Sequence, residues 1–190
     1  IDYYREVDPL SWAFGMSGAQ ATILASEYIG KQLAGRNAVY AGDVSYQNRP
    51  RVFGRLWIET GEVSADQNIK FEEALAEYNV EITESVAYAL DPATLQETAA
   101  SAIAKFKSAG VTTVLLSGDP ISPRDFTREA TTQGYYPEWV HISSVLADTN
   151  IFARTYDQEQ WSNAFGITPL AARVDPTVSG APFLYKWFFG

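Results

Sequence analysis

The sequence predicts an α/β fold: a three-layer sandwich with helices on both faces of a mostly parallel central sheet. Three observations predict it. Amphipathic helical stretches alternate with short apolar strands along most of the chain, which is the pattern of parallel strands joined by helical crossovers. The stretch Val111 to Leu116, VTTVLL, is apolar or β-branched throughout, as a strand covered on both faces must be. The chain is 190 residues long, enough for one sizeable domain and short for two.

From Ser17 to Ala34, apolar residues at Ala21, Leu24, Ala25, Tyr28, Ile29 and Leu33 follow helical spacing, and Gly35 is placed to stop the helix. Asn37 to Pro50 reads as loop with room for a short strand. Val52 to Ile58 is the first clear core strand. Ala65 to Tyr78 is an amphipathic helix with Ile69, Phe71, Ala74, Leu75 and Tyr78 inward, and Ser64 with Gln67 spells a capping box. Val80 to Tyr88 alternates as a strand. Asp91 and Pro92 open a helix over Leu95 to Ala109, with Ile103 and Phe106 inward and Gly110 as its stop. After the Val111–Leu116 strand, Ser122, Pro123 and Asp125 make a helix start by cap, first-turn proline and first-turn acid. That helix runs from Phe126 to Gln133 and ends at Gly134. Trp139 to Val145 is the last strand, and a short helix is expected around Gln158 to Phe165. The tail APFLYKWFFG is aromatic enough to require a packing partner. It suits a final strand or a segment crossing into a neighbouring domain.

Composition excludes several classes of function. Net charge is −9, from 14 Lys+Arg against 23 Asp+Glu, and no basic stripe interrupts it. Nucleic acids and anionic membranes need clustered positive charge. There is no cysteine, which removes disulfides, thiolate zinc sites and thiol catalysis. No run of about 18 apolar residues exists to span a bilayer.

Enzyme motifs are not found either. The sole histidine, His141, lies between Val140 and Ile142 in an apolar strand, where a packed side chain is the ordinary reading. No G-x-S-x-G elbow, no phosphate loop and no G-x-G-x-x-G after a strand occurs. The acids show no metal-ligand spacing. A phosphoacceptor receiver domain shares this architecture, but it needs a lysine after its fifth strand, and none lies between Lys107 and Lys186. No cofactor is implied.

In open α/β sheets, ligands bind beyond the carboxyl ends of the strands. The candidate contacts there are Glu59, Thr60 and Glu62, then Ser117, Gly118 and Asp119, then Ser143. Gly118 permits close backbone approach, and Asp119 is suited to an ammonium group. Acids at the rim favour a cationic or amine-bearing ligand.

RVFGRLWIET, an Asp-containing loop and FEEALAEYNVEI resemble the strand, loop and helix that open the second lobe of type I periplasmic binding proteins. IAKFKSAGVTTVLLSGD resembles the next helix and strand, and FTREATTQGYYPEWV the segment after that. GRNAVYAGD and NAFGITPL also fit, and branched-chain amino acid binders are the nearest subgroup. The resemblance covers roughly residues 20–170. It implies a Rossmann-like or flavodoxin-like sandwich forming a single lobe, with ligand held between two lobes that close by hinge motion. It implies no enzyme activity. Residues 1–16 and 171–190 would then be crossing segments, with Tyr3, Tyr4 and Arg5 at one crossing. The partners implied are a small amino-acid-like ligand, a second lobe and an ABC permease, and the location implied is extracytoplasmic. The loop ETGEVSAD lacks the Tyr-Gly pair usual in amino acid binders, and Ser122 stands where an acid is common. An isolated lobe is expected to show no measurable affinity for free amino acids. Two other readings stay open: a flavodoxin-like enzymatic or regulatory domain, and an interaction or sensor module that has lost transport.

Overall fold

The computed structural model describes residues 17–142 and 146–168. Helix α1, Gly18–Tyr28, begins at Ser17, whose extended backbone and side chain make a reciprocal capping box with Gln20. The helix widens into a π-helical turn, Ile29–Leu33, which buries both Ile29 and Leu33. The segment read as loop with a short strand instead forms a four-residue helix, α2, Val44–Gln47, capped by Asp43. An isolated antiparallel bridge, Asn37 to Pro50, closes its base.

Strand β1, Phe53–Ile58, then leads to helix α3, Glu62–Ala76, and strand β2, Ile82–Tyr88. Helix α4, Leu95–Ser108, precedes β3, Thr113–Ser117, and α5, Pro123–Thr132, precedes β4, Glu138–Ile142. Gly110 takes φ +70 between α4 and β3, a left-handed conformation that glycine adopts without steric cost. Two short helices, α6 Asn150–Ala153 and α7 Gln158–Trp161, lead to β5, Ala164–Ile167. The strands form one sheet in the order β2-β1-β3-β4-β5, every neighbouring pair parallel. The predicted α/β sandwich with a parallel sheet is the fold observed.

Alternation along the strands separates two cores. Phe53, Leu115, Val140 and Ile142 pack on one face with Ala25 of α1, Ile29 of the π-helical turn, and Phe71 and Leu75 of α3. Leu56, Val114, Leu116 and Trp139 pack on the other with Ile103 and Phe106 of α4 and Phe126 and Ala130 of α5.

Four sequence expectations are corrected. Ser64 does not cap α3. The helix starts at Glu62 after Gly61, and the Ser64 hydroxyl accepts from the Thr60 N–H and donates to the Gly61 carbonyl. Ile69 is 57% exposed, whereas Asn68 is buried. The helix is therefore rotated from the face its apolar residues suggested. Ser122 occupies the cap position of α5 but its hydroxyl makes no cap bond. It donates to Asp119, whose other carboxylate oxygen accepts from the Ile121 and Ser122 N–H groups. The helix expected over Gln158 to Phe165 covers only α7, and its second half is the edge strand β5. The aromatic tail and the crossing segments lie outside the described residues. No helix among the described residues is long and apolar enough to cross a membrane.

Candidate functional site

The sheet order places β1 between β2 and β3, so successive crossovers run to opposite sides of β1. The carboxyl ends of β1 and β3 therefore part at a topological switch point, where doubly wound sheets leave a crevice for ligands. A cavity of about 250 Å³ opens there. Trp57, Ile58 and Thr60 line it from the end of β1, and Ser117 and Gly118 from the end of β3. Thr22 of α1 and Gln67 of α3 also line it, together with Arg55, Asn68 and Phe71 on the α1–α3 face.

Arg55 is the unexpected member. It shares its strand face with Phe53 and Trp57, and is only 5% exposed. Its Nε donates to Asn68 Oδ1 at 3.1 Å, and the guanidinium lies over the Phe71 ring, 4.4 Å from the centroid. Nη1 is buried and makes no hydrogen bond among the described residues. Burial pushes the group down to about 10, and the nearby charges of Glu72 and then Tyr88 oppose that shift.

Of the residues predicted as contacts, Thr60, Ser117 and Gly118 line the cavity. Glu59 and Glu62 sit at the end of β1 and the start of α3, both exposed. Ser143 lies outside the described residues. Asp119 is drawn into its own loop. It accepts from the Tyr88 hydroxyl at 2.9 Å, from the Ser122 hydroxyl at 2.7 Å and from the two backbone N–H groups of residues 121 and 122. Tyr88 is held well above the ordinary tyrosine range by burial, then by the Asp119 charge and hydrogen bond. Sequence reasoning missed Arg55. The signal available was a cation at the alternate position between Phe53 and Trp57, the inner face of a core strand.

His141 alternates with Trp139 along β4 and its Nδ1 has no hydrogen-bond partner among the described residues; burial lowers its pKa against the opposing charge of Asp148. Among the described residues, no group of His, Cys, Asp and Glu is arranged to hold a metal ion.

Gly118 connects the cavity wall to the Tyr88–Asp119 pair. It has φ +155, and a Cβ there would clash with Tyr88 Oη and meet Ile58 Cβ at 3.1 Å. Replacing it with alanine is expected to force Tyr88 away from Asp119, at a cost of about 1–3 kcal/mol. Urea unfolding measures this loss. Adding Tyr88→Phe removes the clashing oxygen, so the double variant should fall short of the summed losses. Strict additivity would place the strain elsewhere.

No family model matches this sequence, and no curated protein matches it. Solved structures do match. A fatty acid ABC transporter substrate-binding protein from Thermomonospora curvata is similar at 14% identity and TM-score 0.53, over 82% of this chain and 35% of that one. The leucine-, isoleucine-, valine-, threonine- and alanine-binding protein of Brucella ovis matches at 13% and 0.45, over 64% and 27%. A branched-chain amino acid ABC transporter ligand-binding protein of Burkholderia xenovorans matches at 12% and 0.48, over 70% and 31%. The chain thus spans about a third of the length of these proteins. The structures it resembles are type I periplasmic binding proteins, and its five-stranded parallel sandwich has the fold of one lobe of such a protein.

Proposed function

We propose that this chain is a ligand-binding lobe of an extracytoplasmic solute-binding protein. It captures a small, amino-acid-like molecule in a cleft shared with a second lobe of the same protein, for delivery to an ABC permease. The carrying observation is the cavity at the β1–β3 switch point, on a fold similar to that of substrate-binding proteins. The function is binding rather than catalysis, as it is in the proteins of similar structure.

The test is a thermal-shift screen of the full-length protein with amino acids, small carboxylates, amides, polyamines and aromatic acids. A stabilising shift confined to one class supports the reading and identifies the solute class, because a ligand that binds only the folded state raises stability. A flat response across the panel would shift the assignment to an interaction module. For the 190-residue chain alone, calorimetry with free amino acids is expected to detect no binding, since one lobe covers a ligand on one side only. Micromolar affinity would show that this lobe is a complete site.

A further inference from the structure

Arg55 is a buried cation whose described surroundings do not complete it. Taking a charge out of water is costly unless opposite charge and hydrogen bonds replace the lost solvent. Here the guanidinium has one neutral side-chain acceptor, Asn68, one aromatic face, Phe71, and a spare Nη1. Glu72 is the nearby acid, but its Oε1 accepts from Asn68 Nδ2 at 2.9 Å and from the Ser85 hydroxyl at 2.9 Å. It makes no ion pair with Arg55. The chain Arg55–Asn68–Glu72–Ser85 instead fixes the guanidinium plane and leaves an edge of the fork over. That residue borders the cavity, with Trp57, Ile58 and Ile142 also among its lining residues.

We propose that Arg55 anchors the carboxylate of a small organic acid, whose apolar body lies against Trp57, Ile58 and Ile142. A guanidinium fork matches a carboxylate in shape and charge. A singly charged acid neutralises Arg55 without placing surplus negative charge beside Glu72, in a chain of net charge −9. Asp119, the acid expected to receive an amine, has both oxygens occupied within its own turn, so the cavity offers a fixed cation rather than a free anion. The assignment rests on the solute-binding reading and narrows it to acids.

The experiment follows the Arg55 Nε–H resonance and the Thr60, Ser117 and Gly118 amides of the ¹⁵N-labelled 190-residue chain by NMR. Benzoate, hexanoate, benzamide, hexanamide and inorganic phosphate are titrated to high millimolar concentration. The acids are expected to shift these resonances, with the amides and phosphate leaving them in place. Arg55→Met should weaken acid binding by roughly tenfold or more, as loss of a charge-assisted hydrogen-bond pair does. Without ligand, Arg55→Met should be at least as stable as the parent chain, because it removes an incompletely paired buried charge. A merely structural arginine would make that variant less stable. Amides binding as well as acids, or acids binding undiminished to Arg55→Met, would overturn the carboxylate anchor and leave solute binding standing. Phosphate acting as strongly as the acids would overturn the choice of carboxylate. If no compound moves any cavity resonance at these concentrations, the anchor falls, while the solute-binding reading is decided separately by the thermal-shift screen of the full-length protein.

Discussion

Replacing Glu138 with alanine is expected to cost about 3–5 kcal/mol of folding stability, the range for breaking a buried ion pair from one side. Glu138 is the first residue of β4 and is fully buried. Its Oε2 accepts from Arg51 Nε at 2.7 Å and from the Thr113 hydroxyl at 2.9 Å. Its Oε1 accepts from Arg51 Nη2 at 2.9 Å and from the Tyr40 N–H at 2.9 Å. Arg51 Nη1 donates in turn to the Leu33 carbonyl at the end of the π-helical turn. One carboxylate therefore ties β4, β3 and the long α1–β1 connection together, and through Arg51 reaches the end of the first helix. Alanine leaves the Arg51 cation, whose side chain is 3% exposed, without an ion-pair partner among the described residues.

The size of that effect does not measure the worth of the pair. Desolvating two charges offsets most of their attraction, so replacing both together costs far less than removing one. Arg51→Met with Glu138→Leu is expected to recover much of the loss seen in Glu138→Ala. Denaturant midpoints of the two singles and the double give the coupling directly. The network lies at the amino ends of the strands, and the cavity at their carboxyl ends. Glu138→Ala should thus lower stability while leaving the affinity of the folded fraction unchanged. A changed affinity would mean that the two ends of the sheet are coupled.

The legible parts of this fold were those set by periodicity. The β-branched run before Ser117 allowed only a buried strand, and a helix-length amphipathic segment on either side of it allowed only crossovers. What the sequence hid was set by polar pairs inside the core. Ile69 was expected inward because it is apolar, yet Arg55 reaches for Asn68, and α3 turns its Asn68–Phe71–Leu75 stripe to the sheet instead. The two misassigned caps share one cause. Ser64 and Ser122 have cap chemistry, but a cap also needs extended backbone, and Ser122 is already helical at φ −61, ψ −31. Strand β5 is four residues long and follows a helix directly, so its pattern is too short to separate from the helix before it. At the candidate site, the loop residues Thr60, Ser117 and Gly118 could be named from the rule for strand ends. Arg55 could not, because that rule points beyond the strand and Arg55 lies within it.

Trp139→Ala is expected to destabilise by about 3–5 kcal/mol, the usual cost of truncating a large buried aromatic. Trp139 is fully buried on the α4–α5 face. Its indole N–H donates to Gln160 Oε1 at 3.0 Å, and Gln160 Nε2 donates to the Tyr135 carbonyl at 2.9 Å and to the Thr131 hydroxyl at 3.2 Å. Gln160 is itself fully buried, so this bridge joins α7 to β4 and to the end of α5. Trp139→Phe separates the two parts of the effect. It keeps much of the ring volume but strands the Gln160 carbonyl oxygen, at about 1–3 kcal/mol. Gln160→Met in the wild-type background frees the indole N–H and the Tyr135 carbonyl together. The double variant Trp139→Phe, Gln160→Met should then cost less than the sum of its singles, by an amount typical of contacting residues, roughly 0.5–3 kcal/mol. Equilibrium unfolding of the four species decides it. Full additivity would mean that apolar packing alone holds α7 and β5 to the sheet, and hydrogen exchange in β5 would then be no faster in Trp139→Phe than in the parent chain. Faster exchange confined to Ala164–Ile167 would instead show that the buried amide is what secures the edge strand.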